Sequence, residues 1–574
     1  METIEELLTG WAREVFRETF PDADLRDARL EVVATTEKGF GDYQCNAAMG
    51  LARILKQPPR KIAEAVMEAA APPEAVGTVE IAGPGFLNLH LKDAWLADRL
   101  AAMAGDPQRL GVPSVGEGKT VVIDYSAPNV AKQMHIGHIR STVIGNALDR
   151  LHRFAGYRVV ADNHVGDWGT QFGILIQGYR NLLDEEALAT DPVGELERLY
   201  VASYEKGKGD PEWMDACRKE LLKLQQGDEE NRALWHRFLD LSMGEFERIY
   251  QRLGVRFDLM RGESHYKDRI PGLLERMREG GISQPSEGAM VVFLEEEGLP
   301  VCIVQKSDGA SNYATTDLAT VESRVEEFSP ARIIYVTDER QQTHFRQIFS
   351  IAKRMGAQTH LEHVWFGLMR LPEGTFSTRE GNVIKLDLLL DEAEERACRM
   401  VEASSPGMHS DQQREVARVV GLGALKYADL SQNPQSVVTF SWDKALSMEG
   451  NSAPYLQYAV ARIASVRDKY AERFPRGDPE ASPFRLDEAV ERQLALQIAR
   501  FPESVLRACE QYRPNMLADY LYELSQVYSR FYQNVPFLKA PEGVRESRIR
   551  LCGLTAQVLK TGLGLLGIET MERI

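Results

Sequence analysis

The feature that most limits the fold of this chain lies between residues 111 and 410, where short, apolar, β-branched runs alternate with amphipathic helical patterns. TVVIDYS, RVVADNHV, VCIVQKSDG, RIIYVTD and HVWFGLM each read as a strand, and helical stretches separate most of them. Strands joined through helices cannot close as tight hairpins, so the sheet they build is parallel and is covered by helices. The expected unit is a doubly wound, Rossmann-like α/β domain. Between about Gln177 and Pro285 the pattern becomes helical and highly charged, as in ELERLYVASYEKGKGDPEWMDACRKELLKL, so a helical insertion interrupts the sheet.

A chain of 574 residues is too long for one core, at roughly 100 to 200 residues per domain. Residues 1–110 read as a small appended α/β domain with one strand-like stretch, TVEIAGPGFLNLHL, closed by the Gly/Pro-rich connector GDPQRLGVPSVGEG. From residue 411 to 574 the strands stop. Long amphipathic helices such as YLQYAVARIASVRDKYAERF and MLADYLYELSQVYSRFY follow, implying an all-helical bundle.

No apolar run reaches the roughly 18 residues of a membrane-spanning helix, and METIEELLTGWAREVF reads as an acidic amphipathic helix and not as a signal peptide. A cytoplasmic protein is expected. The six cysteines stand far apart, without the close pairs that zinc or redox motifs require, so no zinc site is expected. The formal net charge of -17 argues at first against a nucleic-acid partner. Its distribution reverses that argument: from Asp411 onward 21 Lys and Arg face 20 Asp and Glu, so the acidity belongs to residues 1–410.

The strongest local signal is SAPNVAKQMHIGHIRSTVIGNAL. Here a strand ends, a loop carries Lys132, and His135-Ile136-Gly137-His138 opens a helix. A helix N-terminus offers unpaired amides and a partial positive charge, so it suits an anion. Gly137 would remove a side chain that blocks a close-lying adenine ring, and His135 and His138 would donate to phosphates. A bare HxGH pattern by itself fits a capped or packed helix start better than a phosphate site. The flanking residues decide between the two.

The stretch resembles the signature of class I aminoacyl-tRNA synthetases, and Ser126 to Arg140 is similar to the arginyl family in particular, with Asn129, Lys132, His135, Gly137 and His138 all matching. NHVGDWGTQFG, Asn163 to Gly173, is a second string of that family. FSTREGNVIKL stands where most class I enzymes carry a KMSKS loop; Ser377 keeps the serine, Thr378 replaces the second lysine and Arg379 follows. The resemblance implies that Lys132 supplies the missing cation, because the pyrophosphate leaving group needs a compact positive charge near it. It also implies arginine-binding positions at Asp124, Asn129, Tyr313, Asp317 and Gln341. Asn129 and Gln341 suit the α-amino and carboxylate ends, whereas Tyr313 and Asp317, one helical turn apart, suit the guanidinium.

The strings ALKY and GNSAPYLQYAVARI resemble the helical anticodon-binding domain of the same family, and nine tyrosines beyond Asp411 include candidates for stacking on splayed bases. GPGFLNLHL resembles its appended domain, which touches the tRNA elbow, with Phe86 and Asn88 at the matching positions. The implied enzyme activates L-arginine with ATP and Mg2+, transfers it to tRNA(Arg), has no metal site of its own and acts as a monomer. A cysteine-specific synthetase and a catalytically silent tRNA-binding relative are the alternatives. The lack of zinc-spaced cysteines opposes the first, and the intact Lys132, His135 and His138 oppose the second.

Overall fold

The computed structural model describes the chain except residues 27, 36–38, 372–373, 376–384 and 574. At its centre is a five-stranded parallel sheet, in the spatial order His360–Phe366, Arg332–Asp338, Thr120–Asp124, Arg158–Asn163, Leu259–Met260. The expected doubly wound sheet is therefore present. The chain winds outward from Thr120–Asp124 to one edge, then returns to fill the other side. Thr120–Asp124 and Arg332–Asp338 thus form the switch point, whose crevice opens at their carboxyl ends.

The helix Ile136–Phe154 packs under this crevice, burying Ile139, Val143, Ile144, Ala147, Leu148 and Leu151. Its approach to the sheet is close: a Cβ on Gly145 would lie 2.2 Å from the ring of Tyr125.

Three readings of individual strands are corrected. VCIVQKSDG contains a strand, Cys302–Gln305, but it pairs antiparallel with Ala289–Val292 in a separate three-stranded sheet. Cys302 and Val304 are buried while Ile303 is 44% exposed, so one face meets solvent, unlike the central strands. TVEIAGPGFLNLHL is two strands, Val76–Ala82 and Phe86–Leu91, paired antiparallel in a four-stranded sheet. Strands also continue past residue 410: Val438–Thr439 pairs with Met369–Leu371, a two-residue contact too short to leave a periodic pattern.

The insertion is helical over Gln171–Leu182, Glu185–Thr190, Pro192–Gly209, Pro211–Gln226 and Glu229–Leu253 around a core of Phe172, Leu175, Ile176, Leu196, Leu199 and Phe238, but it ends well before the expected Pro285, because Leu259–Met260 already pairs with Arg158–Asn163 in the central sheet. Part of its acidity is capping: Asp184, Asp191, Asp210 and Asp228 each accept from the first turn of the helix that follows. The C-terminal region packs Ala453–Arg473, Ala489–Ala499, Phe501–Glu510, Pro514–Asn534 and Val544–Leu565 together. The first domain docks on these helices through Arg492 to Asp42 and Asp93, and Arg507 to Glu5.

Candidate active site

The first part of the site is the N-terminus of Ile136–Phe154. His135 is its N-cap, and its Nδ1 accepts from the Gly137 amide at 3.0 Å. His138 reaches back, its Nδ1 accepting from the His135 amide at 3.1 Å. Because both Nδ1 atoms accept, each neutral ring carries its proton on Nε2, where it can donate. Burial, then Lys132 and Arg340, lower the pKa of His135. Burial, then His135 and Lys132, take that of His138 down to about 3. Both imidazoles are therefore neutral donors near pH 7. Gly137 has a nearer reason than the expected one: a Cβ there would lie 2.8 Å from the His135 ring and break the cap.

The loop feeding this helix joins the two motif strings. Gly166 donates to the Pro128 carbonyl and Val130 donates to that of Gly166, both at 3.1 Å, and the Ala127 amide donates to Asn163 Oδ1 at 3.0 Å. Asn129 is exposed on this loop. Lys132 is also exposed, with Nζ 5.2 Å from the centre of the Tyr200 ring on the insertion, and it acts on both histidines through space.

The second part of the site is acidic. Tyr313–Phe328 precedes the strand Arg332–Asp338 and runs opposite to it, which brings the helix N-terminus to the carboxyl edge. Tyr313 is 70% exposed in its first turn. Asp317 accepts from His344 Nε2 at 2.5 Å. Gln341, exposed, follows the neighbouring strand at the same edge.

Asp124 departs from the expectation. Its Oδ2 lies 2.7 Å from Arg324 Nη2, which also meets Asp162 Oδ2 at 2.9 Å, all three side chains being buried. A guanidinium of the protein already holds Oδ2 of Asp124, so that oxygen is not free to meet a second guanidinium. Burial still raises the Asp124 pKa, against the pull of Arg324.

Glu263 was not singled out by the sequence. Burial, followed by the carboxylates of Asp317 and Asp167, pushes it up to about 8. Glu263 thus stands within electrostatic reach of Asp317, which is paired with His344, and of buried Asp167, which accepts from the Ser264 amide and hydroxyl. Glu263 stands in RGESHY, outside any periodic pattern; its only signal is the acidic residue just after a short apolar run.

Ser377, Thr378 and Arg379 lie outside the described residues. The flanks of that segment are tied to the site: Arg140 donates to the Gly367 carbonyl and pairs with Asp429 at 2.8 Å, both buried, and Leu386 donates to the Met134 carbonyl. Far from this cleft, Phe86 is half-buried on its strand. Asn88 is 1% exposed, with Oδ1 accepting from Gln44 Nε2 at 2.7 Å. Asn88 is thus covered, and Phe86 and Gln44 are the more accessible side chains of that face. Of the nine C-terminal tyrosines, Tyr427, Tyr470, Tyr520 and Tyr528 are buried, whereas Tyr458 is 38% exposed beneath Arg462. Among the described residues no group of three His, Cys, Asp or Glu side chains is placed to hold a metal.

A parallel sheet with a His-x-Gly-His helix at its switch point and a helical domain behind it defines a class I aminoacyl-tRNA synthetase, and the family described as tRNA synthetases class I (R), catalytic domain, matches residues 102–442. The flanks match the arginyl tRNA synthetase N terminal domain, residues 3–91, and the DALR anticodon binding domain, residues 456–574. Arginine–tRNA ligases of Fusobacterium nucleatum and Sodalis glossinidius are 45% and 43% identical, covering 97% and 96% of this chain and the same shares of their own. The solved arginyl-tRNA synthetase of Plasmodium falciparum superposes with a TM-score of 0.86 at 26% identity, covering 100% of both chains. That of Thermus thermophilus gives 0.81 at 25%, over 99% of this chain and 100% of its own. The chain belongs to the arginyl-tRNA synthetases.

Proposed function

We propose that this enzyme ligates L-arginine to tRNA(Arg) in two steps, with its site residues in the following roles. The arginine carboxylate attacks the α-phosphate of ATP, forming arginyl-adenylate and releasing pyrophosphate. A hydroxyl of the terminal ribose of tRNA then attacks the arginyl carbonyl and releases AMP. The observation that carries the reading is the pairing of a neutral, double-histidine helix N-terminus with an acidic pocket across one crevice.

In the first step the Nε2 protons of His135 and His138 donate to the phosphates, and Gly137 keeps that surface low. Lys132, with Ser377, Thr378 and Arg379, stabilises the charge that develops on the leaving group. Mg2+ enters as the counter-ion of ATP. Asp317, Glu263 and Tyr313 receive the guanidinium, Asn129 and Gln341 hold the α-amino and carboxylate ends, and Asp124 shapes the wall between them. Lysine lacks the planar fork, so it would leave part of this half-buried set of acceptors unpaired. Phe86 stacks on the tRNA elbow, with Asn88 backing it through Gln44.

The domain reading is an elbow-binding unit at 1–110, a catalytic unit at 111–410 and an anticodon-binding bundle at 411–574. A monomer in the cytoplasm is the further reading, and light scattering tests the first of these. Arginine-dependent exchange of pyrophosphate into ATP, measured with and without tRNA, tests the whole. We expect exchange with arginine, not lysine or cysteine, and only when tRNA is bound. Exchange driven by another amino acid, or none at all, would overturn it.

A further inference from the structure

Between the strand Thr120–Asp124 and the helix Ile136–Phe154 the backbone enters the left-handed region three times without a glycine, at Ser126 (φ 76°), Ala127 (46°) and Ala131 (62°). Side-chain-bearing residues hold that conformation only where their surroundings impose it. Here each strained residue has its amide captured by a side chain. Ser126 donates to Ser141 Oγ at 2.9 Å, Ala127 to Asn163 Oδ1 at 3.0 Å and Ala131 to Ser242 Oγ at 2.9 Å.

Two of these three restraints lead to one element, the inserted helix Glu229–Leu253. Ser242 stands on it. Asn163 is oriented by it, donating Nδ2 to the Tyr250 hydroxyl at 2.9 Å, and that hydroxyl also shares a hydrogen bond with Ser126 Oγ at 2.8 Å. Ser242 and Tyr250 are two turns apart on the helix's buried face, between Phe238, Phe246 and Leu253. A hydroxyl on such an apolar face is unfavourable unless it is bonded. Among the described residues the Tyr250 hydroxyl bonds to the loop and its support alone, and Ser242 divides its bonds between the loop and its own helix.

We propose that the inserted helix is a positioning element of arginine activation, in which Ser242 and Tyr250 hold the strained backbone from Ser126 to Ala131 in the shape that presents Asn129 and Lys132 to the substrates. The proposal rests on the reading that this loop carries the activation step. Neither residue touches a substrate. Without them the peptides flanking Ala127 and Ala131 relax toward ordinary φ values, and Asn129 and Lys132 turn with them. The helix terminus at His135 and Gly137 lies beyond the strained run and keeps its caps.

The test uses the full chain with tRNA present and reads arginine-dependent pyrophosphate exchange, with thermal melting as the fold control. Tyr250→Phe keeps the ring that packs on Phe257 at 4.9 Å and removes only the hydroxyl. We expect it and Ser242→Ala each to lower kcat roughly ten- to a hundredfold. The KM for ATP should change by less than about threefold, since Lys132 acts on charge that develops only as pyrophosphate leaves, while the capped helix end at His135 and His138 that meets ground-state ATP keeps its hydrogen bonds. Glycine accepts φ near +60° without strain, so Ala131→Gly in the Ser242→Ala background should recover most of the lost rate. Wild-type kcat in both single variants would overturn the proposal, and so would a loss in Ser242→Ala that Ala131→Gly leaves uncorrected. If the wild-type enzyme itself shows no arginine-dependent exchange, the underlying reading fails instead.

Discussion

Replacing Glu263 with glutamine should remove a pH dependence from arginine binding that the wild-type enzyme must show. In the unliganded protein, burial and the neighbouring Asp317 and Asp167 hold the Glu263 carboxyl at about 8, above the ordinary 4.5. Between those values the folded protein binds a proton that the unfolded chain does not. The stabilising effect of that proton is present at low pH and is lost as pH rises through about 8. A guanidinium binds only the ionised form. At about pH 7.5 roughly three-quarters of the free enzyme is protonated there, so binding releases roughly three-quarters of a proton. The apparent dissociation constant for arginine should then rise roughly 25-fold from about pH 8.5 to about pH 6.5. Titration calorimetry in two buffers of different ionisation enthalpy measures the released proton directly. In Glu263→Gln the release should vanish, and affinity at about pH 8.5 should fall roughly ten- to a hundredfold with the loss of a charged acceptor. Enthalpies independent of buffer in the wild type, or a pH dependence that survives in Glu263→Gln, would refute the reasoning.

Lys132→Ala should lower the rate of activation roughly a hundred- to a thousandfold while leaving arginine affinity nearly unchanged, because its charge is needed as pyrophosphate leaves; single-turnover kinetics with and without saturating arginine separate the two. Phe86→Ala should raise the KM for tRNA and leave that for ATP unaltered, since the residue lies far from the cleft, and steady-state aminoacylation checks both. Arg140→Met strands the buried Asp429 carboxylate and frees the Gly367 carbonyl, so it should destabilise the fold by about 3 to 5 kcal/mol, read from denaturant unfolding; a variant as stable as the wild type would show that Asp429 finds another partner.

Periodicity was enough to read the layer architecture. Thr120–Asp124, Arg158–Asn163 and Arg332–Asp338 are buried on both faces and so carry continuous apolar runs, and the inserted and C-terminal helices carry amphipathic ones. The same local information misjudged Cys302–Gln305, whose apolar run is compatible with either kind of sheet, and missed Val438–Thr439, because pairing partners are chosen across long separations. At the site, the HIGH string was legible because a helix N-terminus is built from consecutive residues: His135 caps Gly137 two positions away and His138 caps His135 three positions back.

The acidic pocket was legible only in part. Tyr313 and Asp317 share a helix and a family pattern, but their surroundings come from elsewhere in the chain. Arg324 reaches across 200 positions to take up Asp124, and Glu263 owes its raised pKa to Asp317 and Asp167, 54 and 96 positions away. Tyr250 and Ser242 look in the sequence like ordinary members of a helical stripe, and they become supports of the Ser126–Ala131 loop only when the insertion folds back on the sheet. The sequence by itself determined the central buried strands and the long amphipathic helices, since those patterns depend on neighbours within a few residues. Tertiary structure decided which carboxylates stay free for a substrate and which are taken by the protein's own guanidinium, because charge, burial and hydrogen bonding act through space and not along the chain.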